Sequence, residues 1–233
     1  MNPPISRVKW EKTYRLINSC YPPCNIWEDI ISNNEDWISA IEISEMTNSR
    51  VRQEIGDISL ISKERMITGI NSWWVISAFT HVNPNGSRFN DANFGAYYAT
   101  NDFITAVKEK AYGYTKEFME ATKEPIIDIT CRTLLGKIDN NLHDIRQIDS
   151  WKECYLENDY TYSQELAKKL REEGSYGIVY KSIRDKDGEC FAAFWPDVID
   201  IPIQERHVVF HWNGEKVESY FEIREGFKER IKF

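Results

Sequence analysis

Arg65, Arg88, Tyr98 and Glu109 have residue types and spacing that suit work on an anionic ligand. A guanidinium is permanently charged and presents a planar fork that grips a phosphate or carboxylate through paired hydrogen bonds. A carboxylate in a water-poor site stabilises positive charge developing on a reacting atom. A tyrosine offers a ring face for stacking. Arg88 follows Gly86 in Asn83-Pro84-Asn85-Gly86, a strong turn signal, so its side chain can swing over a cleft. Tyr98 lies within a short apolar run beyond that turn. Glu109 falls on the following helical segment, about 160° round from its apolar stripe at 100° per residue. Each residue also has a plainer reading: Arg88 as a solvated loop arginine, Tyr98 as core, and Glu109 as one of a polar face with Thr105, Lys108 and Tyr112. Periodicity does not separate these readings.

The elements that must position these groups follow from pattern. Residues 27–46 place Ile30, Ile31, Trp37, Ile38 and Ile41 at helical spacing, interrupted by Ser32-Asn33-Asn34, and predict two short helices. Residues 1–60 are accordingly expected to be an N-terminal helical accessory segment, with the main domain over 61–233. The bulky run 73–80 predicts a strand, and the apolar run 94–99 a buried strand. Asn101-Asp102 offers a cap for a helix over 103–118, with Phe103, Val107, Ala111, Tyr114 and Phe118 as its stripe. Residues 126–133 predict a strand, 134–159 a polar, loop-rich stretch, and 162–173 a helix closed by Gly174. Strands are expected over 177–182 and 190–195 across an Asp187-Gly188 turn, and a hairpin over 207–212 and 216–223 across Asn213-Gly214. Strands and helices mix without regular βαβ alternation, which points to an α+β fold.

Composition narrows the function classes. The chain of 233 residues is 42% apolar and 28% charged, an ordinary globular balance. Its net charge of −8 argues against non-specific binding to nucleic acid or anionic membrane, while leaving room for a local basic pocket. The start lacks the long apolar core of a signal peptide, and no stretch approaches a membrane span, so a cytoplasmic location with reduced cysteines is expected. Cys20 and Cys24 flank Tyr-Pro-Pro with no second Cys or His pair nearby, and His81, His143, His207 and His211 lack helical ligand spacing, so no metal is expected. The sequence has no Rossmann glycine fingerprint, no P-loop and no Gly-x-Ser-x-Gly elbow.

Several segments taken together resemble the RES-domain family. They are Arg65-Met66-Ile67-Thr68-Gly69, Gly86-Ser87-Arg88-Phe89-Asn90, Gly95-Ala96-Tyr97-Tyr98-Ala99 and Thr105-Ala106-Val107-Lys108-Glu109. The family pattern has an early Arg, a Gly-Gly-Arg-Trp-Asn-like turn, a strand ending in Tyr-Ala, and a Glu eleven residues beyond the Tyr, as Tyr98 and Glu109 are here. Tyr162-Ser163-Gln164 and the run from Gly174 to Arg184 are similar to its later segment. Ser87 stands where the family usually has Gly, Phe89 where it has Trp, and Lys181 where Pro is common. Ser163 and Ser182 both match the family's serine position.

The resemblance implies a single α+β domain like that of ADP-ribosyltransferases, with a mixed central sheet and flanking helices. It implies an NAD phosphorylase or NAD glycohydrolase, a glycosidase that breaks the nicotinamide–ribose bond, often the toxin of a toxin–antitoxin system. Arg65, Tyr98 and Glu109 are then the expected catalytic residues, and Arg88, Ser163 and Ser182 the expected binding residues for NAD or phosphate. No cofactor is implied beyond NAD as substrate, with inorganic phosphate as co-substrate. The implied partner is a helix-turn-helix antitoxin. An ADP-ribosyltransferase acting on a protein, or a non-catalytic binding module of the same fold, would use the same residues.

Overall fold

The computed structural model describes residues 2–20, 36, 39, 55–121, 126–224 and 227–232. The helices expected over 27–46 lie outside the described residues, apart from positions 36 and 39, which are helical. The described strands are β1 (Ile5–Asn18), β2 (Tyr97–Thr100), β3 (Ile127–Asp144), β4 (Gly177–Lys181), β5 (Glu189–Ala193), β6 (Ile203–Trp212), β7 (Val217–Arg224) and β8 (Phe227–Lys232). The helices are α1 (Trp73–Thr80), α2 (Phe103–Ala121) and α3 (Thr161–Glu172).

One mixed sheet runs β1-β2-β5-β4-β3-β6-β7-β8, and β1 also pairs with β3, so the first five strands form a closed circuit. The long antiparallel β1–β3 ladder runs from Ile5↔His143 to Asn18↔Cys131. The circuit closes weakly elsewhere: β3 meets β4 in parallel only at His143↔Ile178 and Asp144↔Val179. Charged groups reinforce that seam, where Arg146 bonds Asp144 and reaches Glu189 at 2.9 Å, and Lys181 reaches the same glutamate at 2.8 Å.

A bulge in β1 between Trp10 and Thr13 places its apolar residues on two sides of the sheet. Val8, Trp10, Tyr14 and Leu16 share one parity and would share one face of a regular strand. The extra residue reverses the alternation, so Val8 and Trp10 pack into the core beneath α1, while Tyr14 and Leu16 pack into the core beneath α2. Strands β2, β5 and β4 are buried on both faces. Tyr97, Ala99, Val179, Phe191 and Ala193 face the α1 core, and Ala96, Ile178, Tyr180, Ala192 and Phe194 face a third core beneath α3.

Three expectations need correction. Residues 5–18, inside the segment expected to be helical, form a strand of the closed circuit, because they find β3 as a partner along their whole length. Residues 73–80 form α1 rather than a strand. Trp73, Trp74, Val75, Ile76, Phe79 and Thr80 are all buried, and a short run apolar on every side carries no period by which helix and strand differ. Residues 134–144, expected as loop, continue β3. Lys137 and Asp139 point outward while Ile138 and Leu142 enter the core, and the polar members of that alternation read as loop in isolation. The remaining elements fall close to their expected places. The Asp102 carboxylate caps α2 by accepting from the backbone of Ile104 at 2.8 Å and Thr105 at 3.3 Å.

The chain entering β2 runs against α1 at Gly95. A Cβ there would meet the Ala78 carbonyl oxygen and the Phe79 backbone. Gly95→Ala should therefore destabilise the fold by about 2 kcal/mol through overpacking against backbone. The effect is read as a lower urea midpoint at unchanged denaturant slope.

Candidate active site

A cleft of about 1040 Å³ opens among β1, α1, the turn at residues 83–90, β2, α2 and the start of the β4–β5 turn. That is the upper end of the size range for small-molecule sites, roughly 300–1,000 Å³. Arg15, Arg88, Lys110, Lys116 and Arg184 line it, and Glu109 is the one acidic residue among the described lining residues. In a chain of net charge −8, this local excess of cations marks a place for an anion.

Glu109 projects from α2 into this cleft and accepts a hydrogen bond from Ser182 Oγ at 2.5 Å. Ser182 lies just past β4, where its Oγ also accepts from the backbone N–H groups of Arg184 and Asp185, each at 3.0 Å. A hydroxyl has one proton to give and two lone pairs to offer, so with both lone pairs engaged by backbone its proton is committed to Glu109. The turn is braced against α2 by Asp185, which accepts from Thr105 Oγ1 at 2.6 Å and pairs with Lys108 Nζ at 2.8 Å. Gly188 allows the approach, because a Cβ there would strike the Thr105 side chain. Burial raises the pKa of Glu109, opposed by the Ser182 bond and then by the charges of Arg184 and Arg88.

The opposite wall is the turn predicted at residues 83–90. Gly86 sits at φ +65, in the left-handed region, and a Cβ there would collide with the Asn90 carbonyl oxygen. Arg88 leaves this turn, stacks with its guanidinium carbon 4.6 Å from the centre of the Tyr160 ring, and donates through Nη1 to the carbonyls of Cys154 and Leu156, each at 2.8 Å. Tyr98 secures the turn: its hydroxyl donates to Asn90 Oδ1 at 2.8 Å and accepts from the Phe89 N–H at 2.9 Å. Burial raises its pKa strongly, so it remains a phenol. Its hydroxyl is thus a latch, while the residue also lines the cleft.

Of the six residues singled out from sequence, Arg88, Tyr98 and Glu109 line this cleft, and Ser182 reaches it through its bond to Glu109. Arg65 and Ser163 do not line the cleft. Arg65 pairs with Asp197 at 2.9 Å and stacks over Tyr176 and Trp195. Ser163 is fully buried on α3, with its Oγ donating to the Tyr160 carbonyl at 3.0 Å; its neighbour Gln164 is the one that reaches the turn, at Ser87 O. Sequence reasoning passed over Arg15, Lys110, Lys116 and Tyr160. Arg184 stood within a quoted segment without a role. Its guanidinium carbon lies 3.4 Å from the centre of the Tyr112 ring, and Nη1 pairs with Glu157 at 2.8 Å. A cation on an alternating strand or a polar helix face carries no signal of its own.

The profile of the RES domain matches residues 65–213, well over half of the chain and all of the cleft-lining residues except the five of β1 from Tyr14 to Asn18. The chain belongs to the RES-domain family. A relative, the uncharacterized protein y4oC of Sinorhizobium fredii, is 28% identical over 212 residues, covering 91% of this chain and 87% of that protein. A solved structure, the M. tuberculosis MbcT–MbcA toxin–antitoxin complex, aligns at a TM-score of 0.43 and 12% identity over 87% of this chain and 86% of that one. Strand β1 lies outside the matched RES segment, yet it completes the sheet and one wall of the cleft.

The Tyr98 latch has a measurable consequence. Tyr98→Phe leaves the Phe89 N–H and Asn90 Oδ1 without their partner, so it should cost about 1–3 kcal/mol in chemical denaturation. Faster amide exchange should be confined to the 83–90 turn.

Proposed function

We propose that this RES-domain protein cleaves the bond between nicotinamide and ribose in NAD, by phosphorolysis or hydrolysis, and acts as the toxin of a toxin–antitoxin pair. The observation that carries the reading is Glu109: a half-buried carboxylate, aimed by Ser182, in a cleft whose other charged lining residues are cations. Nicotinamide in NAD is a cationic leaving group and needs no protonation. As the glycosidic C–N bond breaks, its electron pair goes to the nicotinamide nitrogen and positive charge gathers on the ribose. Glu109 stabilises that charge and holds the ribose hydroxyls. Arg88 and the neighbouring cations hold the diphosphate or an incoming inorganic phosphate. Capture by phosphate gives a ribosyl phosphate, and capture by water gives ADP-ribose and a proton. Membership of the RES family supports the toxin role and, with it, a cognate helix-turn-helix antitoxin as partner. The proposed target is the cytoplasmic pool of NAD; among the described residues no helix is long and apolar enough to cross a membrane.

The direct test follows nicotinamide release from NAD with and without inorganic phosphate. Absence of release under both conditions from folded protein sinks the proposal, and label from NAD appearing on protein would redirect it to ADP-ribosyl transfer. Glu109→Gln should cut release by at least a hundredfold. Because burial raises the Glu109 pKa, ionising it costs folding free energy that accumulates as pH rises from the ordinary carboxylate value through the raised one. The neutral variant lacks that penalty, so its melting temperature at pH 7 should equal or exceed the parent's.

The same shift predicts a pH profile. Activity needs the ionised carboxylate, so kcat/KM should fall on the acid side, with its limb above the usual glutamate range. Ser182→Ala removes a bond that favours the ionised form and should move that limb further up. A limb that stays in place in Ser182→Ala would show that this hydroxyl does not tune Glu109.

A further inference from the structure

The helix that carries Glu109 turns a broad arc toward the cleft. Ala106, Glu109, Lys110, Tyr112, Gly113 and Lys116 of α2 all line it. At 100° per residue these positions span roughly 160° of the helix, and Gly113 falls near the middle. A Cβ on Gly113 would meet nothing within 4 Å. Glycine is a poor choice for a helix interior, because it has more backbone freedom to lose than any other residue. At Gly95 and Gly188 a Cβ would strike a neighbouring segment, and Gly86 has its positive φ. Among the described residues no such contact accounts for Gly113. It leaves a bare stretch of helix backbone in the cleft wall.

Lys116 lies beyond that bare stretch. It follows Glu109 by almost two full turns, so the two share a stripe, about 10 Å apart along the axis, with Gly113 between them. The Lys116 ammonium stands 5.3 Å from the centre of the Tyr160 ring, and the Arg88 guanidinium carbon 4.6 Å from the centre of the same ring. Two cations gathered on one ring repel each other. The one acidic residue among the described lining residues is Glu109, at the other end of the stripe. An anion bound beside Tyr160 relieves that repulsion. In order along α2, the cleft wall is a carboxylate, an uncovered length of helix and a cationic end.

We propose that Gly113 is a specificity-determining residue: the dinucleotide passes over the bare α2 backbone, with its reacting sugar at Glu109 and its diphosphate between Lys116 and Arg88 beside Tyr160. The assignment rests on the reading of the cleft as an NAD site. One helical turn, about 6 Å, separates Glu109 from Gly113 along the axis, room for one sugar before the diphosphate begins. A side chain at position 113 would stand in the path of that sugar. The arrangement favours a dinucleotide over a free nucleoside, which has no anionic group to reach Lys116.

The test sets affinity against stability. Titration calorimetry with ADP-ribose, and thermal melting without ligand, are run on the full chain and on its Gly113→Ala, Gly113→Leu and Lys116→Gln variants. Alanine fits the open space and suits a helix better, so Gly113→Ala should melt above the parent and yet bind ADP-ribose about threefold more weakly. Gly113→Leu puts bulk where the sugar lies and should weaken binding about tenfold or more. Lys116→Gln should weaken it about tenfold. A role in helix packing alone would lower melting temperature and affinity together in Gly113→Ala, and that result overturns the proposal. So would a folded Gly113→Leu that binds as tightly as the parent, unchanged affinity in Lys116→Gln, or no ADP-ribose binding by the parent. If Gly113→Leu does not fold, Gly113→Ala decides: a higher melting temperature with weaker binding upholds the assignment, and any other combination rejects it. The two readings fail separately. A parent whose ADP-ribose binding depends on Gly113 but which releases no nicotinamide from NAD keeps this path and loses the proposed activity. A parent whose NAD cleavage is untouched by Gly113→Leu keeps the activity and loses the path.

Discussion

The hydrogen bond from Ser182 to Glu109 is the interaction around which the site is organised. A carboxylate taken out of water is costly to ionise, and here burial outweighs everything that opposes it. The protein offsets part of that cost with a hydroxyl whose lone pairs are occupied by the Arg184 and Asp185 backbone, leaving its proton one destination. That arrangement holds only if the β4–β5 turn stays against α2. Asp185 ensures this through Thr105 and Lys108, four residues and one residue along the helix from Glu109. The brace, the turn and the helix are thus one unit, and the sheet beneath sets its geometry.

The second constraint is positive charge gathered into one cleft. Among the described residues five cations surround one carboxylate and repel one another, and the fold holds Arg15 and Arg88 by stacking their guanidiniums on aromatic rings and tying them to backbone carbonyls. Arg88 on Tyr160 and Arg15 on Tyr97 share this device, whereas Arg184 stacks on Tyr112 and pairs with Glu157. The rings limit where Arg88 and Arg15 sit without neutralising them, so their charge remains available to a ligand. The generous aromatic content of the chain, with eight Trp, 12 Tyr and 11 Phe, is thereby partly explained by the cleft as well as by the three cores.

Much of the fold was legible where local chemistry is strong. The Asp102 cap, the Gly86 turn, the α2 stripe and the C-terminal hairpin all carry their signals within a few residues. The misreadings share one cause. Helix α1 is apolar on every side, β3 alternates polar and apolar residues in a stretch that looks like loop, and β1 needs a partner more than a hundred residues away. In each, the deciding interactions are with distant segments. Within the candidate site, Arg88, Tyr98, Glu109 and Ser182 were found by family pattern together with residue type. Arg65 and Ser163 were equally eligible by that pattern and lie elsewhere, one paired with Asp197 and one bonded to its own helix.

The amino-acid sequence by itself determined the residue types at the site, the turn that presents Arg88 and the helix that carries Glu109, because turn and capping chemistry act over a few bonds. Only the tertiary structure decided which serine meets the glutamate, since Ser163 and Ser182 differ in what surrounds them and little in what they are. It also brought β1 and its Arg15 into the cleft, because strand pairing between residues 5–18 and 131–143 is a long-range choice set by sheet closure, with nothing in the local sequence to announce it.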